Sequence, residues 1–301
     1  MQTNKTLGVM IYVDNSATML QEFEWIYKSW IFSGNWTTSD LIVVHHPDVA
    51  HALPLDDEGI VGVPCLPVAV PGSPFEGYHF MNSIGCVSGP HIDDIALRYP
   101  FLLRTDADVF LTSNLVDFRP SYPVHGRGHY HRRPDFREKM LDFCKRHGVI
   151  HHNHFGCGSS LLAQSQLVVP FLRRQTYWCE KLLRDFGDDP ANWGTWPDWF
   201  RGVSSMYAAE IAAAEAGNAF LRLGRERILD VESFCDEKID SLVFHIHAVH
   251  TDTYFSKFEY RNGAYDDVDI NALDISYIDQ YCHWLAATPL EDIKRRAAYP
   301  Q

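Results

Sequence analysis

The chain has 301 residues, 46% of them hydrophobic and 13% aromatic, which is enough to fill one large α/β core. Its 26 basic side chains face 39 acidic ones, a formal charge of −13. That balance argues against nucleic acid or an anionic membrane as the main partner, since both need basic surface, but not against an anionic small ligand carried on a bound cation.

Leu7–Val13 is an apolar run too short for a signal-peptide core or for the roughly 20 residues of a membrane span, so it reads as a first strand. The expectation is a chain without a membrane span and cytoplasmic, or in the Golgi or a secretory lumen if an anchor preceded it. Seven cysteines (65, 86, 144, 157, 179, 235, 282) show no C-x-x-C pair, which suits a reducing compartment. Thr18-x-x-Gln21 resembles a capping box, and apolar residues from Met19 to Ile31 keep helical spacing up to Gly34. Residues 40–46 predict a second strand, residues 60–70 an extended or edge segment broken by two prolines, and residues 90–98 a helix ending before Pro100. Residues 101–105 are then a strand. Residues 121–137, rich in His and Arg, predict an exposed loop, and residues 204–216 a helix closed by Gly217. Residues 241–250 (SLVFHIHAVH) predict a strand. This alternation implies a mostly parallel, doubly wound sheet flanked by helices in a single domain, with ligands beyond the carboxyl ends of strands.

Asp106 and Asp108 follow residues 101–105 directly. If the strand continues, positions i and i+2 share a face, and two carboxylates that close repel unless a cation or proton lies between them. Mn²⁺ or Mg²⁺ suits one or two carboxylates plus substrate phosphates; an ordinary Asp-containing turn is the bland alternative. His245 and His247 alternate along the later strand, and His250 lies beyond its end, where it would complete a site of two carboxylates and an imidazole. His245 alone reads better as a satisfied core residue. Lys257 could reach a phosphate as a point charge or be a solvated surface lysine. The HHNH run at 151–154 reads as a solvated loop. Glu210 falls on an apolar helical stripe, where a carboxylate needs a partner, and Asp198 lies among Trp196, Trp199 and Phe200, a wall that would suit a sugar or simply a core.

LLRTDADVFL after a helix and a proline, followed by HFGCGSS, MYAAE and HTDTYFSK in that order, resembles the GT-A-fold, metal-dependent, nucleotide-sugar glycosyltransferases, over roughly residues 7 to 260. The segment also resembles, more loosely, D-x-D proteins of algae and bacteria. The resemblance implies a GT-A-like sheet with a nucleotide-binding half (1–118), a sugar and acceptor half (119–260) and a C-terminal helical extension (261–301). It implies Mn²⁺ or Mg²⁺ on Asp106 and Asp108, with His250 or His247 as the C-terminal ligand and Asp108 the more direct carboxylate. Val13, Asp14 and Asn15 would meet the nucleotide, Asn82 and Ser83 the nucleotide-sugar together with Asp106 and Lys257, and Gly156, Gly158, Ser159 and Trp196 the sugar or acceptor. Glu210 or Asp198 would act as base or as stabiliser of the developing positive charge. The donor would be UDP- or GDP-linked and the acceptor a carbohydrate or other hydroxyl, with retention favoured over inversion. The family's His-x-x-Gly-x-x-Lys pattern is departed from here, since the glycine is missing and Lys257 comes one residue late.

Three rival readings use the same letters. A HAD-type phosphatase also carries D-x-D after a strand, but with Thr or Val where this chain has Phe110, and near the chain start. A metallohydrolase would use His245 and His247 on Zn²⁺ or Fe. A non-catalytic sugar- or nucleotide-binding protein would keep the fold alone.

Overall fold

Every residue of Leu7–Val13 (β1) is buried, because helices cover both faces of the sheet that it centres. The computed structural model describes residues 5–130, 133–153, 155–217 and 228–300. β1 pairs in parallel with Ser39–His45 (β2) on one side and Phe101–Arg104 (β4) on the other, and β2 with Ile60–Pro64 (β3). Cys157–Gln164 (β7) runs antiparallel to β4 and to Val124–Arg127 (β6), giving the order β3-β2-β1-β4-β7-β6. A smaller sheet, β5-β9-β8, is built from Val109–Leu111 (β5), Val231–Glu232 (β8) and His245–His247 (β9). The architecture is therefore mixed α/β with a mostly parallel six-stranded sheet.

The helices are Ala17–Phe32 (α1), Asn82–Gly85 (α2), Asp93–Ala96 (α3), Pro134–Arg146 (α4), Ser165–Phe186 (α5), Ser204–Glu215 (α6), Lys257–Arg261 (α7), Ile278–Ala287 (α8) and Leu290–Ala297 (α9). Period-2 alternation divides the core between the two faces of the sheet. Leu7, Val9, Ile11, Leu41, Val43 and Leu103 pack against Trp25, Ile26 and Trp30 of α1, with α8 and α9 behind. Met10, Tyr12, Ile42, Val44 and Leu102 pack against α5 and α6.

Local chemistry explains where elements begin and end. Ser16, not Thr18, caps α1: its hydroxyl accepts from the Met19 amide at 3.2 Å, the reach of a side chain three residues upstream. Gly34, at φ 77°, lets the chain leave that helix, as expected. The segment 121–137 is not an exposed loop. Val124 and His125 are buried and pair with Leu162 and Leu161, so β6 completes the sheet, and a proline at its first turn opens α4. His131 and Arg132 lie outside the described residues. The strand expected over 241–250 shrinks to His245–His247, because its partner β5 is only three residues long. Residues 60–70 form a strand only as far as Pro64, at the sheet edge. Among the described residues, no helix is long and apolar enough to cross a membrane.

Candidate metal centre

β1 and β4 run side by side, and the chain order of the sheet reverses between them, with β2 and β3 built outward from one and β7 and β6 from the other. Ligands of open α/β sheets bind at the carboxyl end of such a switch point. Thr105 continues β4 by one bond, its amide donating to Met10 O at 3.1 Å, and the chain then leaves the sheet. Asp106 and Asp108 therefore sit in the loop between β4 and β5, not on a strand. What brings them together is the turn itself and the second sheet. β5 pairs antiparallel with β9, placing Val109 opposite His247, and the Ala248 amide donates to Asp108 O at 2.8 Å. One ligand atom each from Asp106, Asp108 and His247 lies within 4.8 Å of the others. Two carboxylates and an imidazole this close together could hold a metal ion.

His250 is not in that group: it is exposed and its ring stacks on Phe258 at 5.1 Å. Partial desolvation of the ring, together with Lys257 and His247 nearby, lowers its pKa. The period of two along β9 turns His245 and His247 to the same side, and the register with β5 selects His247.

Asp108 is buried, and its Oδ2 accepts from His247 Nε2 at 3.2 Å and from Lys257 Nζ. Burial alone would raise its pKa, but the Lys257 ammonium and the His247 ring hold it well below the usual carboxylate range. Asp106 is more open and pairs with Arg104 at 2.8 Å. For His247, burial would favour the neutral ring, yet Asp108 and Asp230 on its two sides push its pKa up to about 9.

Asp230, Arg104, Thr105 and Ser160 escaped the sequence reading. Asp230 Oδ1 faces His247 Nδ1 at 3.7 Å, and Asp230 also accepts from the Ser160 hydroxyl at 2.7 Å and the Ser160 amide at 3.1 Å. Its own amide donates to His245 Nδ1 at 3.1 Å, so by the hydrogen-bond network the His245 proton resides on Nε2 and reaches Thr105 Oγ1 at 2.7 Å; Thr105 then meets Ser160 at 2.9 Å. This closed circuit spends both nitrogens of His245, and burial drops its pKa to about 4. The clue in the sequence was glycine. A Cβ on Gly126 or Gly158 would come within 1.7 or 2.1 Å of Asp230 Oδ2, so the carboxylate can lie flat on those two backbones only without side chains there. Arg104, 2% exposed, ties three segments together: it donates to Ser159 O, to Ser83 O at 2.9 Å and Ser83 Oγ at 3.0 Å, and to Asp106.

The remaining expected site residues are more dispersed. Val13 is buried, Asn15 is exposed, and Asp14 accepts from the Ser16 amide at 2.8 Å beyond the end of β1. Asn82 caps the Val68 and Ala69 amides at 3.0 and 2.9 Å. Glu210 is fully buried, accepting from Tyr130 OH and the Gly156 amide, both at 2.8 Å, with His151 Nε2 at 3.0 Å. His151 is thus no solvated loop residue; His154 lies outside the described residues. Asp198 is half exposed and pairs with Arg133 at 3.6 Å. Trp196 is 55% exposed.

The profile of one family, described as a domain of unknown function (DUF7164), matches residues 71–285, more than half of the chain. The chain belongs to that family. The matched span contains Asp106, Asp108, Asp230, His247 and Lys257 and excludes β1, β2 and β3. No curated protein matches the chain.

Proposed function

We propose that the protein is a glycosyltransferase of GT-A type, moving a sugar from a UDP- or GDP-linked donor to a hydroxyl acceptor. The observation that carries this reading is the convergence of Asp106, Asp108 and His247 at the carboxyl end of β4, at the switch point of the sheet. Those three side chains would hold Mn²⁺ or Mg²⁺, which as a Lewis acid stabilises the charge gathering on a departing diphosphate. The chain's own residues would do the rest. Arg104 fixes Asp106 against the backbone of Ser83 and Ser159, so the loop is set before ligand arrives. Asp230 faces the Nδ1 of His247 and leaves Nε2 directed at Asp108, the carboxylate–histidine arrangement that orients a ligating imidazole. Val13–Asn15, beyond β1, would line the nucleotide side of the same edge.

Both nitrogens of His245 are occupied by Thr105 and Asp230, which weighs against a metallohydrolase using the His245 and His247 pair. Thermal unfolding tests the reading. UDP or GDP raises the melting temperature only when Mn²⁺ or Mg²⁺ is present, and Asp108→Ala abolishes that shift. No stabilisation by either nucleotide with either metal sinks it.

A further inference from the structure

Asp108 Oδ2 is shared by His247 Nε2 and the ammonium of Lys257. Asp106 is engaged as well, by Arg104 at 2.8 Å. The two basic partners differ in their freedom to leave. Arg104 is buried and bonded to the backbone of Ser83 and Ser159 on either side, so its guanidinium is fixed. Lys257 keeps a side-chain exposure of 15%, reaches the site on a four-carbon stem, and has Asp108 as its only ion-pair partner among the described residues. Its other acidic neighbour, Glu22, is taken by Arg261. Four carboxylates (Asp106, Asp108, Asp230, Glu22) thus meet three permanent cations (Arg104, Lys257, Arg261) in one partly buried group. A divalent ion added with Lys257 in place would put two positive charges on one carboxylate, and their repulsion disfavours it in a partly buried group.

We propose that Lys257 is a resident counter-cation of Asp108 that is withdrawn when a divalent cation binds, and that a diphosphate anion receives it, so that this side chain adds to the cooperativity of cation and anion. The inference rests on the metal reading above and adds a rule of assembly to it: the cation alone competes with Lys257, whereas the diphosphate removes the competitor. Coupling of this kind is reciprocal and typically spans 5- to 150-fold.

The test uses the full chain, Mn²⁺ and inorganic pyrophosphate, with calorimetry on wild type, Lys257→Gln and Lys257→Arg. Wild type binds Mn²⁺ alone weakly and about tenfold or more tightly with pyrophosphate. Lys257→Gln binds Mn²⁺ alone more tightly than wild type and shows a smaller pyrophosphate effect, while Lys257→Arg keeps the full effect. Pyrophosphate also binds Mn²⁺ in solution, so the proteins are compared at identical total concentrations. Should the Gln variant misfold, amine methylation of wild-type Lys257, followed by mass spectrometry, answers the same question: the rate rises with Mn²⁺ and falls again when pyrophosphate is added. Mn²⁺ binding that Lys257→Gln leaves unchanged, or a methylation rate indifferent to Mn²⁺, overturns the counter-cation role alone. No Mn²⁺ binding by any of the proteins, with or without pyrophosphate, overturns the metal reading and this inference together.

Discussion

Two acid–histidine groups lie at opposite ends of one short segment, residues 156–160, and they are built differently. Glu210 draws on the Gly156 end: it is fully buried, and its partners are a phenol, a backbone amide and an imidazole fixed in the core. The Asp108 group draws on the Ser160 end through Asp230, and it is neutralised by ammonium and guanidinium groups that reach it from several elements. Fixed donors saturate Glu210 and hold it in one place. In the second group Arg104 is fixed, but Lys257 holds Asp108 from a flexible stem, and a mobile cation of this kind can be replaced by another. A carboxylate's burial alone does not separate the two cases; the kind of partner does.

Three experiments would break or sharpen that contrast. Glu210→Ala removes the carboxylate that accepts from Tyr130, His151 and the Gly156 amide and lowers stability by about 3 kcal/mol, read by denaturant unfolding. Mn²⁺ affinity stays within about twofold of wild type. A loss of Mn²⁺ binding with stability intact would move Glu210 into the metal group and end the comparison.

Asp230→Asn keeps the shape but weakens the acceptor facing His247 Nδ1. Mn²⁺ affinity falls roughly 10- to 100-fold, the usual cost of losing a partner behind a ligating imidazole. Calorimetry at neutral pH measures this, and an unchanged affinity would show that His247 needs no such support.

The third experiment varies pH. His245 and His283 are both buried with pKa values near 4, in each case because burial disfavours the charged ring. Unfolded, each takes a proton below about 6.5, which the folded chain refuses, so stability is complete above that value and declines as pH falls toward 4. Each contributes a slope of about 1.4 kcal/mol per pH unit within that window. His247 acts oppositely: with a folded pKa near 9, its share is present below about 6.5 and is lost as pH rises toward 9. Urea unfolding between pH 4 and 9, without added metal, therefore gives a maximum near pH 6.5; a flat profile would remove the neutral His245 from the circuit.

Much of this architecture was legible in the chain. The apolar runs of β1 and β2 announce buried strands, and the spacing of Phe23, Ile26 and Trp30 announces the helix over them. Asp106 and Asp108 were recognisable as a pair, though by a strand geometry that they do not adopt. His247 and Lys257 were both candidates, but their pairing with Asp108 was not readable, since it spans 139 and 149 residues. Asp230 carried no local signal beyond the glycines at 126 and 158 that accommodate it.

By itself the sequence determined the class of fold and the chemistry available at the end of β4, because alternation, helical spacing and a D-x-D after an apolar run are properties of neighbouring residues. Which histidine joins the carboxylates, which acid is spent inside the core, and which lysine holds Asp108 were decided only in three dimensions. The register of β5 against β9 and the backbone of residues 156–160 make those choices, and neither is written in any single stretch of the chain.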